Sequence, residues 1–243
     1  MSTAEAAPPG ATTANPERLR ERLTDLIGAD RWVNSSHPAV APANESEVLK
    51  LLQGYPGEIM VIGSGVNFTA DYHPSSDALI LLTAKLSGHF LHSIPDQTVE
   101  VSAGLPVMDV RRRLAAVGQL VPALERFQVG TIGGRLAATP SRPDGRLDGW
   151  MQSLLGLTVA SPDGEILSFG GSCIKDVAGY DLRHLFTGSR GASGVILRAV
   201  FRCWPVEAWS AMHIEPSSPP APGRSDPVWR KLLDPKGRMR PGV

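Results

Sequence analysis

The run Gly170-Gly171-Ser172-Cys173-Ile174-Lys175-Asp176-Val177-Ala178-Gly179-Tyr180-Asp181-Leu182, continuing through Leu185-Phe186 to Gly188-Ser189-Arg190-Gly191-Ala192-Ser193-Gly194, decides how this chain is read. Its last glycines are spaced by three and lead straight into the apolar Val195-Ile196-Leu197. A turn feeding a strand is expected there, with backbone bare enough to lie flat against a ring system. Asp181 to Phe186 reads as a short helix. Tyr180 and Asp181 suit either its capping and packing or contact with a ligand.

Two further glycine clusters lie upstream. Gly130-Thr131-Ile132-Gly133-Gly134 precedes Leu136-Ala137-Ala138, enough for one helical turn whose N-terminus faces an anion; a plain turn packing a helix on a sheet fits equally well. Gly63-Ser64-Gly65-Val66-Asn67 follows the apolar strand Ile59-Met60-Val61-Ile62. Without a Cβ, such a loop lets successive N–H groups converge on an oxygen anion, and a diphosphate is the obvious guest. A tight turn is the alternative, because the third glycine of a dinucleotide fingerprint is missing and no 3.6-residue pattern follows. A nicotinamide enzyme would also need an acidic residue ending the next strand, whereas Asp77 precedes it.

The remaining elements follow from apolar spacing. Asn15 and Pro16 open a helix carrying Leu19, Leu23 and Ile27, and Asn44-Glu45-Ser46-Glu47 resembles a capping box before Val48, Leu51 and Leu52. Ala78 to Leu82 is a buried strand. His89–Ile94 pairs with Thr98–Ala103 around Pro95-Asp96-Gln97, and Leu154–Ala160 pairs with Ile166–Phe169 around Pro162-Asp163-Gly164. Gly104-Leu105-Pro106 starts a helix with Val107, Val110, Leu114 and Val117 inward; its Arg111-Arg112-Arg113 run reads as a solvated face. Val195 to Trp204 is a long final strand. Residues 1–15 read as a disordered leader and 206–227 as a Pro-rich linker. With no regular strand-helix alternation, an α+β architecture is expected.

Composition removes other classes. Net charge is zero and no apolar run approaches bilayer length, so neither nucleic acid nor membrane insertion is suggested. The only cysteines, Cys173 and Cys203, cannot ligate an iron–sulfur cluster, and no metal site is expected. A reducing cytoplasm is the simplest compartment. His73, His89, His92 and His184 are scattered, so no catalytic residue is singled out.

Taken together, the Gly170–Ser189 block, the Gly63–Asn67 loop and the Thr131–Gly134 segment resemble the FAD-binding subunit of bacterial glycolate oxidase, of the p-cresol methylhydroxylase/vanillyl-alcohol oxidase type, over about residues 38–205. The resemblance implies two α+β subdomains, a small mixed or parallel sheet (about 16–105) and a larger, mainly antiparallel sheet (about 106–205), with FAD between them. It places Gly63, Ser64, Gly65, Val66 and Asn67 with Gly130, Thr131, Ile132, Gly133, Gly134 and Ala138 at the diphosphate. Gly191, Gly194, Val195 and Ile196 fall at the flavin and adenine side, and Lys175, Gly179 and Tyr180 belong to the signature block.

Departures accompany it. Met151-Gln152 stands where the family has Arg-Asp, and Arg190 where it has Glu. Residues 228–243 look like the family's closing segment, with Arg240 for Asn, while the linker replaces most of its cap domain. The expected function is that of an FAD-binding subunit of a 2-hydroxy-acid, glycolate-type oxidase or dehydrogenase complex. Electrons would pass to an iron–sulfur partner, alongside a second flavin subunit, in the cytoplasm or at the inner membrane through partners. A non-catalytic FAD-binding or scaffold subunit of such a complex is the alternative; turnover by this chain alone is not expected.

Overall fold

The computed structural model describes residues 16–35, 37–66, 78–139, 153–171, 182–211 and 234–240. The leader (1–15) and most of the Pro-rich stretch lie outside the described residues. Helix α1 (Pro16–Ile27) buries Leu23 and Ile27, as its spacing predicts. Helix α2 (Glu45–Gly54) is held by a variant of the capping box. The Asn44 side chain accepts from Glu47 N at 3.0 Å and donates to Glu47 Oε1 at 2.9 Å. Glu47 Oε2 then reaches back past the cap to Ala43 N (2.8 Å), and Arg31 Nε donates to it at 2.8 Å.

Both helices cover a small sheet ordered β1-β3-β2-β11, from strands β1 (Ala39–Val40), β2 (Ile59–Ile62), β3 (Leu79–Leu82) and β11 (Met239–Arg240). All its pairings are parallel. The near-continuous apolar runs of β2 and β3 follow, because such a sheet is covered on both faces. Ile59, Leu79 and Leu81 pack with α1 and α2, while Met60, Ile62 and Ile80 form a cluster on the opposite face.

The larger sheet is antiparallel throughout, in the order β4 (Phe90–Ser93), β5 (Thr98–Ser102), β9 (Val195–Arg202), β7 (Leu154–Ala160) and β8 (Ile166–Gly170). Helices α3 (Val107–Ala115) and α4 (Ile132–Ala138) share its apolar core with Val99, Val101, Leu157 and Phe201. The β7–β9 pairing is irregular between Thr158 and Val159. At that end of the pair Ala160, Val195 and Leu197 pack into the core of the small sheet while Val159 and Ile196 stay in that of the larger one, so the two lobes share a seam.

Four expectations need correction. The lobes do not divide near residue 105: β4 and β5 belong to the larger sheet, and β11 returns to the small one. Sheet partnership, rather than chain order, sets the division. The final strand breaks at Cys203, whose N–H bonds Gln97 O, and Trp204–Pro205 (β10) pairs separately with Gln119–Leu120 (β6). Val206–Ala211 is a helix (α5), not linker; Pro205 precedes it, Glu207 favours its first turn, and Trp209 packs on Trp204 with ring centroids 5.9 Å apart. Val117 lies beyond the end of α3 and is exposed, because Gly118 at φ +69° turns the chain away. The arginine run on α3 also divides its labour. Arg111 pairs with Glu125 at 2.7 Å and donates to Phe127 O, Arg112 pairs with Asp109, and Arg113 lies over the Phe90 ring.

Among the described residues no helix is long and apolar enough to cross a membrane, and no cluster of His, Cys, Asp and Glu suits a metal. Burial pushes the Cys203 thiol up to about 12, which makes it a packing residue rather than a nucleophile.

Two stability outcomes follow. The hydrogen bond from Arg31, with those from Ala43 and Asn44, holds the Glu47 carboxyl below its usual value. A depressed folded value adds stability above the unfolded glutamate range, and that stability is lost as pH falls through the folded one. The urea midpoint of Glu47→Gln should therefore lie below wild type at neutral pH, and the two should converge as pH drops below the ordinary glutamate range. Arg238 donates to Leu52 O (3.1 Å), Tyr55 O (2.7 Å) and Pro162 O with its side chain only 12% exposed, tying β11 to α2 and the β7–β8 turn. Arg238→Met keeps the stem and orphans these acceptors; a loss on the order of 3 kcal/mol in urea denaturation is expected.

Candidate functional site

The loop Gly63–Val66 leaves the carboxyl end of β2, the edge of a parallel sheet where ligands commonly sit. Among the described residues, the N–H groups of Gly63, Ser64, Gly65 and Val66 find no acceptor. Gly65 adopts φ +75°, and the space a Cβ would take there is open. Four successive amides facing a cleft make a donor-rich concavity suited to an anion.

Thr131 caps α4, its Oγ1 accepting from Gly134 N at 3.3 Å. The first amides of this helix are otherwise spent inside the fold: Ile132 N bonds Leu105 O at 2.9 Å, and Gly133 N bonds Ala103 O at 2.8 Å. The helix N-terminus is therefore not the open anion donor that the sequence suggests. Its glycines serve close approach instead. A Cβ on Gly63 would lie 2.6 Å from Thr131 Oγ1 and 3.1 Å from Gly134 Cα, and one on Gly133 would lie 2.7 Å from Ala103 Cβ. The third turn meets the same strand, since a Cβ on Gly191 would lie 3.0 Å from Val61 Cβ.

Two adjoining clefts result, of about 410 Å³ and about 330 Å³, sharing Val61, Gly63, Gly134 and Ala137 as walls. Gly63, Ser64, Gly65, Val66, Gly130, Thr131, Gly134 and Ala138 line the first; Gly63, Gly133, Gly134, Gly191, Gly194 and Ile196 line the second. The side chains of Ile132 and Val195 are fully buried in the two cores and line neither cleft. Gly194, at φ +143°, lets its strand approach Ala160 O, where a Cβ would come to 2.5 Å. Asn67, Lys175, Gly179 and Tyr180 lie outside the described residues, as do Cys173, Asp181 and the Met151-Gln152 pair.

Sequence reading missed several walls: Thr83, Arg135, Ala137 and Ser189, with Arg190 noted only as a departure. The signal for Arg135 was its place one turn after Thr131, which puts both on one face of a helix. Its Nε donates to Val129 O at 2.8 Å, its guanidinium lies 5.0 Å from the Phe127 ring centroid, and burial pushes its pKa down. No carboxylate or histidine lines either cleft among the described residues. His92 is taken up by Gln119 at 2.7 Å, away from the site. The described walls are thus uncharged or cationic, and the chemistry they offer is anion binding.

Comparison with known proteins agrees with this geometry. The FAD binding domain family matches residues 38–170, more than half of the chain. The chain is 29% identical over 171 residues to the glycolate oxidase subunit GlcD of Bacillus subtilis, covering 68% of this chain and 36% of that one. It is 32% identical over 116 residues to the glycolate oxidase subunit GlcE of Escherichia coli, covering 44% and 31%. The chain thus spans about a third of the length of these two relatives. A solved alkyldihydroxyacetonephosphate synthase shares the fold with a TM-score of 0.62 at 19% identity, over 83% of this chain and 42% of that one. The chain therefore belongs to the FAD binding domain family, and its cofactor is FAD.

Proposed function

We propose that this chain is an FAD-carrying subunit of a 2-hydroxy-acid dehydrogenase of the glycolate type, passing electrons to an iron–sulfur partner within a multi-subunit complex. The observation that carries the reading is the convergence of three glycine turns on two adjoining clefts, the first walled by four amides that have no acceptor among the described residues. These residues fit a dinucleotide: an elongated double cleft, a bare backbone on both sides, and donors where a diphosphate carries its charge. FAD, when bound, supplies a two-electron acceptor; the chain supplies binding, orientation and electrostatics. Gly63–Val66 would hold the diphosphate, while Gly191, Gly194 and Ile196 would bound the farther part of the cofactor.

Likeness to two glycolate oxidase subunits supports the substrate class and the complex. The described cleft walls are rich in donors, and residues 212–233 are all that joins α5 to the Asp234–Arg240 return. A cap of domain size has no room in that interval, so the substrate-orienting wall would come from a partner. That partner would also account for any attachment to the inner membrane.

Two measurements test this. Purified protein should carry FAD, and Gly65→Ala should weaken its binding by about 5- to 30-fold, because an L-residue at positive φ costs roughly 1–2 kcal/mol. Gly88→Ala is the control, with open space around it and no unusual φ. Equal FAD affinity in Gly65→Ala and wild type would refute the site. In anaerobic titration, glycolate should reduce the flavin only in the assembled complex; reduction of the isolated chain would overturn the division of labour.

A further inference from the structure

The 410 Å³ cleft holds more positive charge than four amides provide, because Arg135 and Arg190 both line it and no carboxylate does among the described residues. Arg190 is the less expected of the two. It is one of two non-glycine residues at positive φ among those described, at +53°, between Ser189 and Gly191. The other, Gln97, sits in a hairpin turn and receives the Cys203 N–H. Arg190 has a backbone anchor, its N–H bonding Ala137 O at 2.9 Å at the end of α4. Its exposed side chain has no hydrogen-bond or ion-pair partner among the described residues. A strained backbone, pinned to the cleft wall and presenting a guanidinium without a partner among the described residues, marks a residue kept for what its side chain does.

Arg135, on α4, lines the same cleft. Its Nε is fixed by Val129 O and its plane rests near Phe127, so its direction is set before any ligand arrives. Burial disfavours its charge, and a bound anion would relieve that penalty. Guanidinium groups are well matched to phosphate oxygens.

We propose that Arg190 and Arg135 form a cationic clamp for the cofactor's diphosphate, supplementing the Gly63–Val66 amides and making dinucleotide retention by this chain electrostatic. The inference rests on the FAD reading and deepens it. Arg190 would act as a swinging arm from its pinned backbone, and Arg135 as a fixed one. Selectivity is then for the diphosphate: FAD and ADP feel the clamp, whereas riboflavin, which lacks phosphate, does not.

The test measures the affinities of FAD, ADP and riboflavin for apoprotein by equilibrium dialysis, at low and high salt, with urea stability measured in parallel. Arg190→Gln should weaken FAD and ADP by roughly tenfold. Riboflavin binding should stay unchanged, and the salt dependence of FAD binding should flatten. Arg190→Gly should show the same loss of affinity while holding or gaining stability, since glycine relaxes the positive φ. A purely structural arginine would lose both together. Arg135→Gln should weaken FAD and ADP as well. Wild-type FAD affinity in both Arg190 variants, or an equal loss for riboflavin, would overturn the clamp and leave the cofactor assignment standing. Wild-type protein that binds no FAD would instead sink the underlying reading.

Discussion

The architecture depends on close approach at glycines, where a side chain would ordinarily stand. Gly63 at the end of β2 meets Thr131 so closely that a Cβ would clash, and its approach to Gly134 and that of Gly191 to Val61 would be tight for one. Each contact joins an element of the small parallel sheet to one of the larger lobe. The cleft is the space left over when three bare turns are pressed together but do not fuse. Among the described residues the Gly63–Val66 amides have no acceptor, while the α4 amides are already bonded to Leu105, Ala103 and Thr131.

That contact is stable because the lobes are not independent. Strands β7 and β9 feed both cores: Leu157, Val159, Ile196 and Phe201 pack into the one shared with α3 and α4, and Ala160, Val195 and Leu197 into the one beneath α1 and α2. Arg198 on β9 binds Glu45 at the start of α2 and Glu100 on β5, each at 2.8 Å. On the other edge, β11 closes the small sheet, fixed by Arg238 and by Asp234 Oδ2, which accepts from Met239 N at 2.7 Å. A ligand between the lobes therefore meets walls whose spacing is set by two cores rather than by a hinge.

Sequence pattern reveals what is local and little of what is not. The helix carrying Leu23 and Ile27, the capped helix after Asn44, both hairpins and the three glycine turns are all present, because each is specified by spacing within a few residues. Lobe membership is not local. Thr98–Ser102 looks no different whether it pairs with β9 or with β3, and nothing in Met239–Arg240 announces a parallel partner 180 residues earlier. Glycine roles were legible in kind but not in assignment: Gly65 has the open, positive-φ geometry of a ligand loop, whereas Gly133 and Gly194 serve packing against Ala103 and Ala160. The helix after Pro205 was hidden by the proline-rich stretch that follows it.

The sequence does not announce either arginine of the cleft as a wall residue. An arginine after a glycine cluster usually reads as a solvated side chain, since exposed Arg is common and individually uninformative. What distinguishes Arg135 is burial against Phe127, and what distinguishes Arg190 is a backbone conformation unfavourable to its side chain. Neither property can be read from composition or period: the first needs the 127–129 segment folded against α4, and the second needs the Gly188–Gly194 turn pinned to Ala137 O. A donor-lined cleft without carboxylates binds an anion well but offers no base for proton abstraction from its described walls. What the described walls offer is therefore cofactor binding, built largely from backbone.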